Sequence, residues 1–185
     1  MPTRPGTASV LTVMVVVAVV MTATVSVRAQ GTTNAQATAR VLTALSVTAS
    51  NDLVFGNVLQ GVPKRIGTNV DDSTAQFSIT GQASATISMV LTLPTYLSRT
   101  AGGEQMMLVF ESDQAVVDTN ATSPSTVTAG DGWLGQNPYS LPSNAVVGAG
   151  GQTNVYLGGK VIPSPNQIPG TYEANIILSV AYLGT

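Results

Sequence analysis

The sequence contains no cysteine and no histidine among its 185 residues. Without cysteine the chain has no disulfides, no zinc–thiolate site and no thiol nucleophile. Without histidine it lacks the commonest general base and the commonest transition-metal ligand. Catalysis by a Ser-His-Asp or Cys-His set is therefore excluded, and the sequence predicts no catalytic residues, no cofactor and no metal ion.

Charge is also scarce. Charged residues make up 9% of the chain and the net charge is −2, whereas charged residues are about a quarter of an average soluble domain. Lys64-Arg65 is the only adjacent basic pair, so the chain lacks the basic patch that nucleic-acid or anionic-lipid binding uses. Small and β-branched residues dominate instead, and an apolar fraction of 44% is ample for a core. This composition favours one all-β extracellular domain, with no nucleic-acid partner and no membrane association of the mature chain.

Residues 1–29 have the pattern of a secretory signal peptide. Arg4 lies in a short positive segment, and an apolar run follows from Val10 to Met21. That run is shorter than the ~20 apolar residues that a membrane span needs. We predict cleavage after Ala29; cleavage after Ala23 and retention as a membrane anchor are the alternatives.

The next stretch, residues 30–43, begins with the small polar sequence QGTTNAQATA. Alternate residues share a face when a chain is extended. The composition predicts either a flexible N-terminal arm or a disordered tail. In an extended arm one face would carry Ala35, Ala37, Ala39 and Val41.

From residue 41 onward, apolar residues alternate with polar ones in short runs, as in half-buried strands. The clearest runs are Ala75–Thr80, Ala85–Leu93 and the C-terminal stretch 167–185. Turn signals separate the runs about every ten residues, which is typical of an immunoglobulin-like sandwich. We therefore predict an all-β, immunoglobulin-like antiparallel β-sandwich of seven to nine strands over residues 44–185.

Local signals also predict how some of these strands are connected. Gly81-Gln82 between two strands predicts a hairpin. The last strand begins after Pro169-Gly170, and its alternation is typical of a strand deep in a sheet. A short strand is predicted at Thr126–Thr128, and Thr153–Ile162 reads as a strand interrupted by glycines. The inward face of the last strand would carry Tyr172, Ala174, Ile176, Leu178, Val180 and Tyr182.

Acidic residues are the only remaining candidates for chemistry. Glu111 and Asp113 on a strand would share one face at roughly 7 Å, a separation that a glycosidase pair can have. No aromatic sugar platform accompanies them. Asp71-Asp72 reads as a solvated turn, because a calcium site needs several oxygen ligands at set spacing. We predict that the protein is not an enzyme.

The segment from Gly130 to Gly151 is rich in glycine, proline and asparagine, and long for a connection in a compact domain. It contains Trp133, the only tryptophan, and Tyr139. These aromatic residues either pack onto the sandwich or form an exposed contact surface. The second interpretation makes the protein a monomeric secreted or surface-attached adhesin, which is the alternative to the function inferred below.

Three blocks of sequence carry a resemblance to a known family. They are ALSVTASNDLVFGNV at residues 44–58, AQFSITGQASATISMVL at 75–91, and NQIPGTYEANIILSVAY at 166–182. In this order behind a signal peptide, they resemble a family of secreted bacterial domains of unknown function. That family is similar to archaic chaperone–usher pilins and spore-coat-U-like proteins. The resemblance covers about residues 41–185.

The resemblance implies a pilin-type fold in which an N-terminal extension fills a groove of the neighbouring subunit by donor-strand exchange. Residues 30–43 would be the donor, with Val41 and Leu42 as the main anchors, since a buried alanine contributes less than a buried valine or leucine. Identical subunits would be the partners, with a periplasmic chaperone and an outer-membrane usher as further candidates. One departure is that many archaic pilins carry a disulfide, which this chain cannot form.

The expected function is therefore a structural, major-pilin-like subunit of an extracellular bacterial surface filament, exported through the periplasm. The alternating arm, the all-β pattern and the leader support this expectation.

Overall fold

The computed structural model describes residue 36 and residues 38–119, 123–127 and 132–184; the side chains of residues 132 and 133 fall outside the description. The predicted signal peptide and the arm residues Ala35 and Ala37 also lie outside the described residues. Of the segment Met1–Ala39, the described positions 36, 38 and 39 are exposed. A compact unit spans Arg40–Thr185.

This unit is nearly all β, which confirms the predicted all-β class. Every strand pairing in it is antiparallel. The described residues contain thirteen strands, more than the seven to nine predicted, because several, such as β9 and β12, have only two residues. The strands are β1 (Ser46–Asn51), β2 (Lys64–Ile66), β3 (Ala75–Thr80), β4 (Thr86–Thr92), β5 (Tyr96–Arg99), β6 (Gln105–Val109), β7 (Ala115–Asp118), β8 (Gly132–Gln136), β9 (Ala145–Val146), β10 (Gln152–Leu157), β11 (Gly159–Ile162), β12 (Tyr172–Glu173) and β13 (Ile177–Tyr182).

The strands form three sheets. Their orders are β1-β3-β10-β7-β8, β12-β5-β6-β11-β2 and β13-β4-β9. Side chains from all three sheets meet in one hydrophobic core, whose fully buried members include Ile79, Ile87 and Val161. The chain passes from the first sheet to the second at Gly158, between β10 and β11. The predicted interruption of this strand is therefore a change of sheet.

The hairpin predicted at Gly81-Gln82 is wrong. β3 pairs with β1 and β10, whereas β4 pairs with β13 and β9, so the two strands belong to different sheets. The connecting residues bond elsewhere: Gly81 N–H donates to the Gly151 carbonyl at 2.9 Å, and Ser84 N–H to the Val147 carbonyl at 3.0 Å. A local turn signal marks where the chain bends but does not choose the strand's partner.

The C-terminal stretch alternates as predicted within β13, but Ala174, predicted to face inward, is exposed outside both strands. Its predicted place deep in a sheet is also wrong. It divides into β12 and β13, which lie in different sheets, and β13 is an edge strand. Within β13, Leu178, Val180 and Tyr182 are half-buried against the core, and the residues between them are exposed. Alternation specifies which face of a strand is buried but does not determine which strands pair with it.

Two further segments differ from expectation. Residues Pro124–Thr126 form a 3-10 turn where Thr126 was predicted to begin a strand, and the proline occupies the first position of that turn. The long segment predicted as a loop contains β8 and β9. In the part of the chain that the structure describes, no helical segment has the length and hydrophobicity of a membrane span.

Candidate functional site

The inward face of β1 is not covered. Val47 lies opposite Ile79 of β3, and Ala49 lies opposite Phe77. Directly opposite residues of an antiparallel pair point to the same face of the sheet. Ile79 and Phe77 are buried in the core, yet Val47 is 37% exposed and Ala49 is exposed as well. The inward side chains of β3 are therefore covered by the core, whereas those of β1 are not.

The inward face of β13 is also incompletely covered. Leu178 lies opposite Leu91 of β4, and Val180 lies opposite Met89. Both β4 residues are buried, whereas both β13 residues are only half-buried. Two strands from opposite ends of the chain thus direct apolar side chains into a space that the described residues do not fill.

Both strands are also edges. Among the described residues, β1 pairs only with β3 and β13 pairs only with β4. The second backbone edge of each strand therefore offers N–H and C=O groups to another chain, as free sheet edges do.

A groove of about 1060 Å³ continues this gap beyond the ends of the two strands. One wall is formed by residues 51–60, which follow β1, and the other by residues 167–176, which precede β13. The floor consists of core side chains. They are Phe77, Leu97, Met106, Leu108 and Val161.

Tyr182 closes one end of the gap. Its hydroxyl accepts a hydrogen bond of 2.6 Å from Gln82 N–H and donates one of 2.8 Å to the carbonyl oxygen of Thr43, just before β1. The side chain therefore links the end of β13 to Thr43. We call Thr43, where the candidate arm meets the domain, the root of the arm. At the opposite end residues 56–60 face residues 167–170, and the Gln60 side-chain amide donates a 2.6 Å hydrogen bond to the Gln167 carbonyl. We call this end the far end of the groove.

The groove is almost free of charge. The sequence has no charged residue in 53–63 or in 161–172, and the lining residues include only two, Asp52 and Glu173. A ligand bound by ion pairs would leave its own charges unpaired in this groove. The chemistry of the walls fits an extended segment with few charges and small apolar side chains.

The candidate arm residues that the structure describes are exposed. Ala39 and Leu42 are exposed, and Val41 is 93% exposed. Thr43 is held by its own domain, through Tyr182 and through a 3.5 Å hydrogen bond from its N–H to the Gln82 side chain. Thr43, the last residue of the predicted donor 30–43, is therefore anchored on its own domain.

The two aromatic candidates of the long segment have different settings. Trp133 lies in the edge strand β8, opposite Val117. Tyr139 is exposed, and its ring meets Phe110 edge to face with centroids 6.4 Å apart. Tyr139 therefore both packs on the domain and presents a surface.

Glu111 and Asp113 belong to an exposed ion-pair cluster. Glu111 contacts the Arg65 guanidinium at 3.2 Å and the Lys160 ammonium at 3.6 Å, and Asp113 contacts Arg65 at 3.3 Å. Neither carboxylate lines the groove. In the described ranges, no three acidic side chains converge as ligands for a metal ion.

Sequence reasoning missed the position of the groove and its closing residue. Tyr182 was predicted as an inward-facing apolar residue, but the partners of its hydroxyl lie 100 and 139 residues away. The two charge-free runs, 53–63 and 161–172, are a sequence signal that marks the walls. Comparison of the chain with protein-family models, curated proteins and solved structures gave no match.

Proposed function

We propose that this protein is a structural, major-pilin-like subunit of an extracellular bacterial surface filament. Its immunoglobulin-like sandwich lacks one strand, and residues 30–42 of the next copy supply it by donor-strand exchange. The carrying observation is the uncovered inward face of two facing strand edges, at Val47 and Ala49 on one side and at Leu178 and Val180 on the other. An extended segment between these edges covers both faces at once.

Simple energetics support this arrangement. Each new backbone hydrogen bond contributes about 0.5–1.5 kcal/mol net, and a strand inserted between two edges forms bonds on both sides. Full burial of Val41 adds ~1.5–3 kcal/mol, and each alanine clearly less. An alanine-rich arm thus relies mainly on main-chain bonding.

We infer the direction of the arm from the end of the gap that Tyr182 closes. The donor's Val41 lies next to its own domain, so we place it at the far end of the acceptor groove, near residues 56–60 and 167–170. The arm's N-terminal part then lies nearer Tyr182, so the arm runs away from Tyr182 in its N- to C-terminal direction. β13 runs toward Tyr182 and β1 runs away from it, so the inserted strand is antiparallel to β13 and parallel to β1.

Deleting residues 30–42 from the mature chain tests the proposal, and it retains Thr43, which belongs to the domain. We expect folded subunits that form no filaments. Because the open groove makes this variant prone to misfolding, a synthetic peptide of residues 30–42 provides a second readout. It should bind and raise the Tm, whereas a scrambled peptide of the same composition should not. Normal filaments from the deletion, or equal effects of the two peptides, would overturn the proposal.

The second candidate is a monomeric adhesin or binding module that uses the surface around Trp133 and Tyr139. The exposed ring of Tyr139 supports it. A monodisperse monomer that binds glycan or matrix, and loses binding on Trp133→Ala, would favour this function over the filament.

A further inference from the structure

Three exposed apolar side chains surround the far end of the groove. Leu59 is 71% exposed, Val62 is 52% exposed and Ile168 is 42% exposed. We refer to these three residues as the rim. Leu59 and Ile168 also line the groove itself, so the rim is continuous with the surface that would bind the arm.

Hydrogen bonds hold the rim together across a large sequence separation. The Gln60 side-chain amide donates to the Gln167 carbonyl at 2.6 Å, and Gly61 N–H donates to the Ser164 carbonyl at 3.0 Å. Val62 N–H donates to the Leu59 carbonyl at 3.1 Å, which closes a turn. These hydrogen bonds fix the backbone that carries the three rim residues.

The root of the arm leaves few residues to span the distance from one copy to the next. Thr43 is held by its own domain, and Leu42 is the last residue that the groove of the next copy could take up. If residues 30–42 occupy the groove, Thr43 follows them directly without a linker, and the body of the donor lies against the far end of the groove.

The donor offers an apolar surface at this place. Leu183 follows Tyr182, is exposed, and is fixed by a 3.0 Å hydrogen bond from its N–H to the Thr86 carbonyl. Leu42 is exposed beside the same root. No charged residue lies in 41–51 or 174–185, so this part of the chain, like 53–63 and 161–172, carries no charge of its own.

We propose that the rim of one copy packs against Leu183 and Leu42 of the copy that donates the arm. This contact rests on the proposed function and extends it, because it fixes the angle between consecutive subunits. It joins two different surfaces, and such heterologous contacts propagate into open filaments when the rotation does not close. The patch is small, so it acts only once the inserted arm raises the local concentration of the two surfaces.

Cross-linking tests the contact. Because the chain has no cysteine of its own, only the introduced cysteines supply thiols. Leu59→Cys is combined with Leu183→Cys in the full chain, and sheared filaments are treated with a short bis-maleimide. We expect a ladder of covalent oligomers. The matched control combines Val90→Cys, on an exposed outward position of β4, with Leu183→Cys and should give monomers.

A second measurement covers the case in which cross-linking geometry is unfavourable. In Leu59→Ser/Val62→Ser, electron micrographs should show filaments with a broader distribution of angles between neighbouring subunits, or folded subunits that fail to assemble. The control Val90→Ser/Val146→Ser removes exposed apolar surface elsewhere and should match the wild type.

Filaments that give no ladder and keep their angles in the rim variant would overturn the contact alone. If the unaltered protein forms no filaments and the arm peptide does not bind, the proposed function itself fails. The two failures are therefore distinguishable.

Discussion

Tyr182 and Thr43 lie 139 residues apart and are joined by a 2.8 Å hydrogen bond from the tyrosine hydroxyl to the threonine carbonyl oxygen. The same hydroxyl accepts from Gln82 N–H at 2.6 Å. One side chain of the last strand thus closes an end of the gap between β1 and β13. It also holds the root of the N-terminal arm on its own domain.

Replacing Tyr182 by phenylalanine should weaken the domain at this junction. Two hydrogen bonds are lost, each worth about 0.5–1.5 kcal/mol, so we expect the free energy of unfolding to fall by about 1–3 kcal/mol. Denaturant titration measures the change. Tyr139→Phe, on an exposed ring, is the control and should alter stability by less than about 0.5 kcal/mol. Equal effects of the two substitutions would refute the bridging role.

A charge placed on the groove face of β1 should block assembly without unfolding the subunit. Ala49→Arg puts a guanidinium where the arm would lie, and the exposed position lets the folded monomer tolerate it. Thr48→Arg, one residue away on the other face of the same strand, is the matched control. We expect filaments from the control and none from Ala49→Arg, scored by electron microscopy at equal expression. Filaments from both would show that the arm does not enter here.

Gly158 should not tolerate a side chain. A Cβ at this position would lie 2.5 Å from the Ile66 carbonyl oxygen and 2.9 Å from the Gly67 carbonyl carbon. Backbone atoms cannot move aside cheaply, so Gly158→Ala should destabilise the domain by about 1–3 kcal/mol. Gly150→Ala meets nothing within 4 Å and is the control. A neutral Gly158→Ala would mean that β10 and β11 approach β2 less closely than described.

The turn at Asp71 should make stability depend on acid pH. The Asp71 carboxylate accepts hydrogen bonds from the Ser125 hydroxyl and from Ser125 N–H, and these bonds lower its pKa below the ordinary value of 3.8. A lowered folded-state pKa contributes stability that is present above the unfolded pKa and is lost as pH falls through the folded one. Asp71→Asn should therefore have a slightly lower Tm than the wild type at pH 7.

That difference should shrink as the pH falls below 3.8, which thermal unfolding at pH 7 and pH 2.5 would measure. Asp72→Asn is the control at pH 7, because asparagine accepts the left-handed backbone found at that position (φ 65°). A Tm difference for Asp71→Asn that stays constant with pH would contradict an ionised acceptor at Asp71.

Local patterns predicted strands and buried faces well. Ala75–Thr80 is a strand with its predicted bounds, and Phe77 and Ile79 point inward as expected. Such alternation is a property of a few neighbouring residues and can be read from the chain. Partner choice is not local: β3 pairs with a strand more than seventy residues later, and the Gly81-Gln82 signal could not show it.

The groove could not be predicted for a related reason. It depends on two edges, β1 and β13, that come from opposite ends of the chain and do not pair with each other. Nothing in the sequence of either strand reports that its inward side chains remain uncovered. The resemblance supplied the expectation of a groove, and the burial of residues such as Val47 supplied its place.

The most direct test of the account is electron cryomicroscopy of the mature protein sheared from cells that express it. The account predicts thin, regular filaments and a map in which residues 30–42 of one copy lie between β1 and β13 of the next, antiparallel to β13. Single globular particles, or filaments in which the gap between β1 and β13 is empty or filled by the same copy's arm, would contradict it.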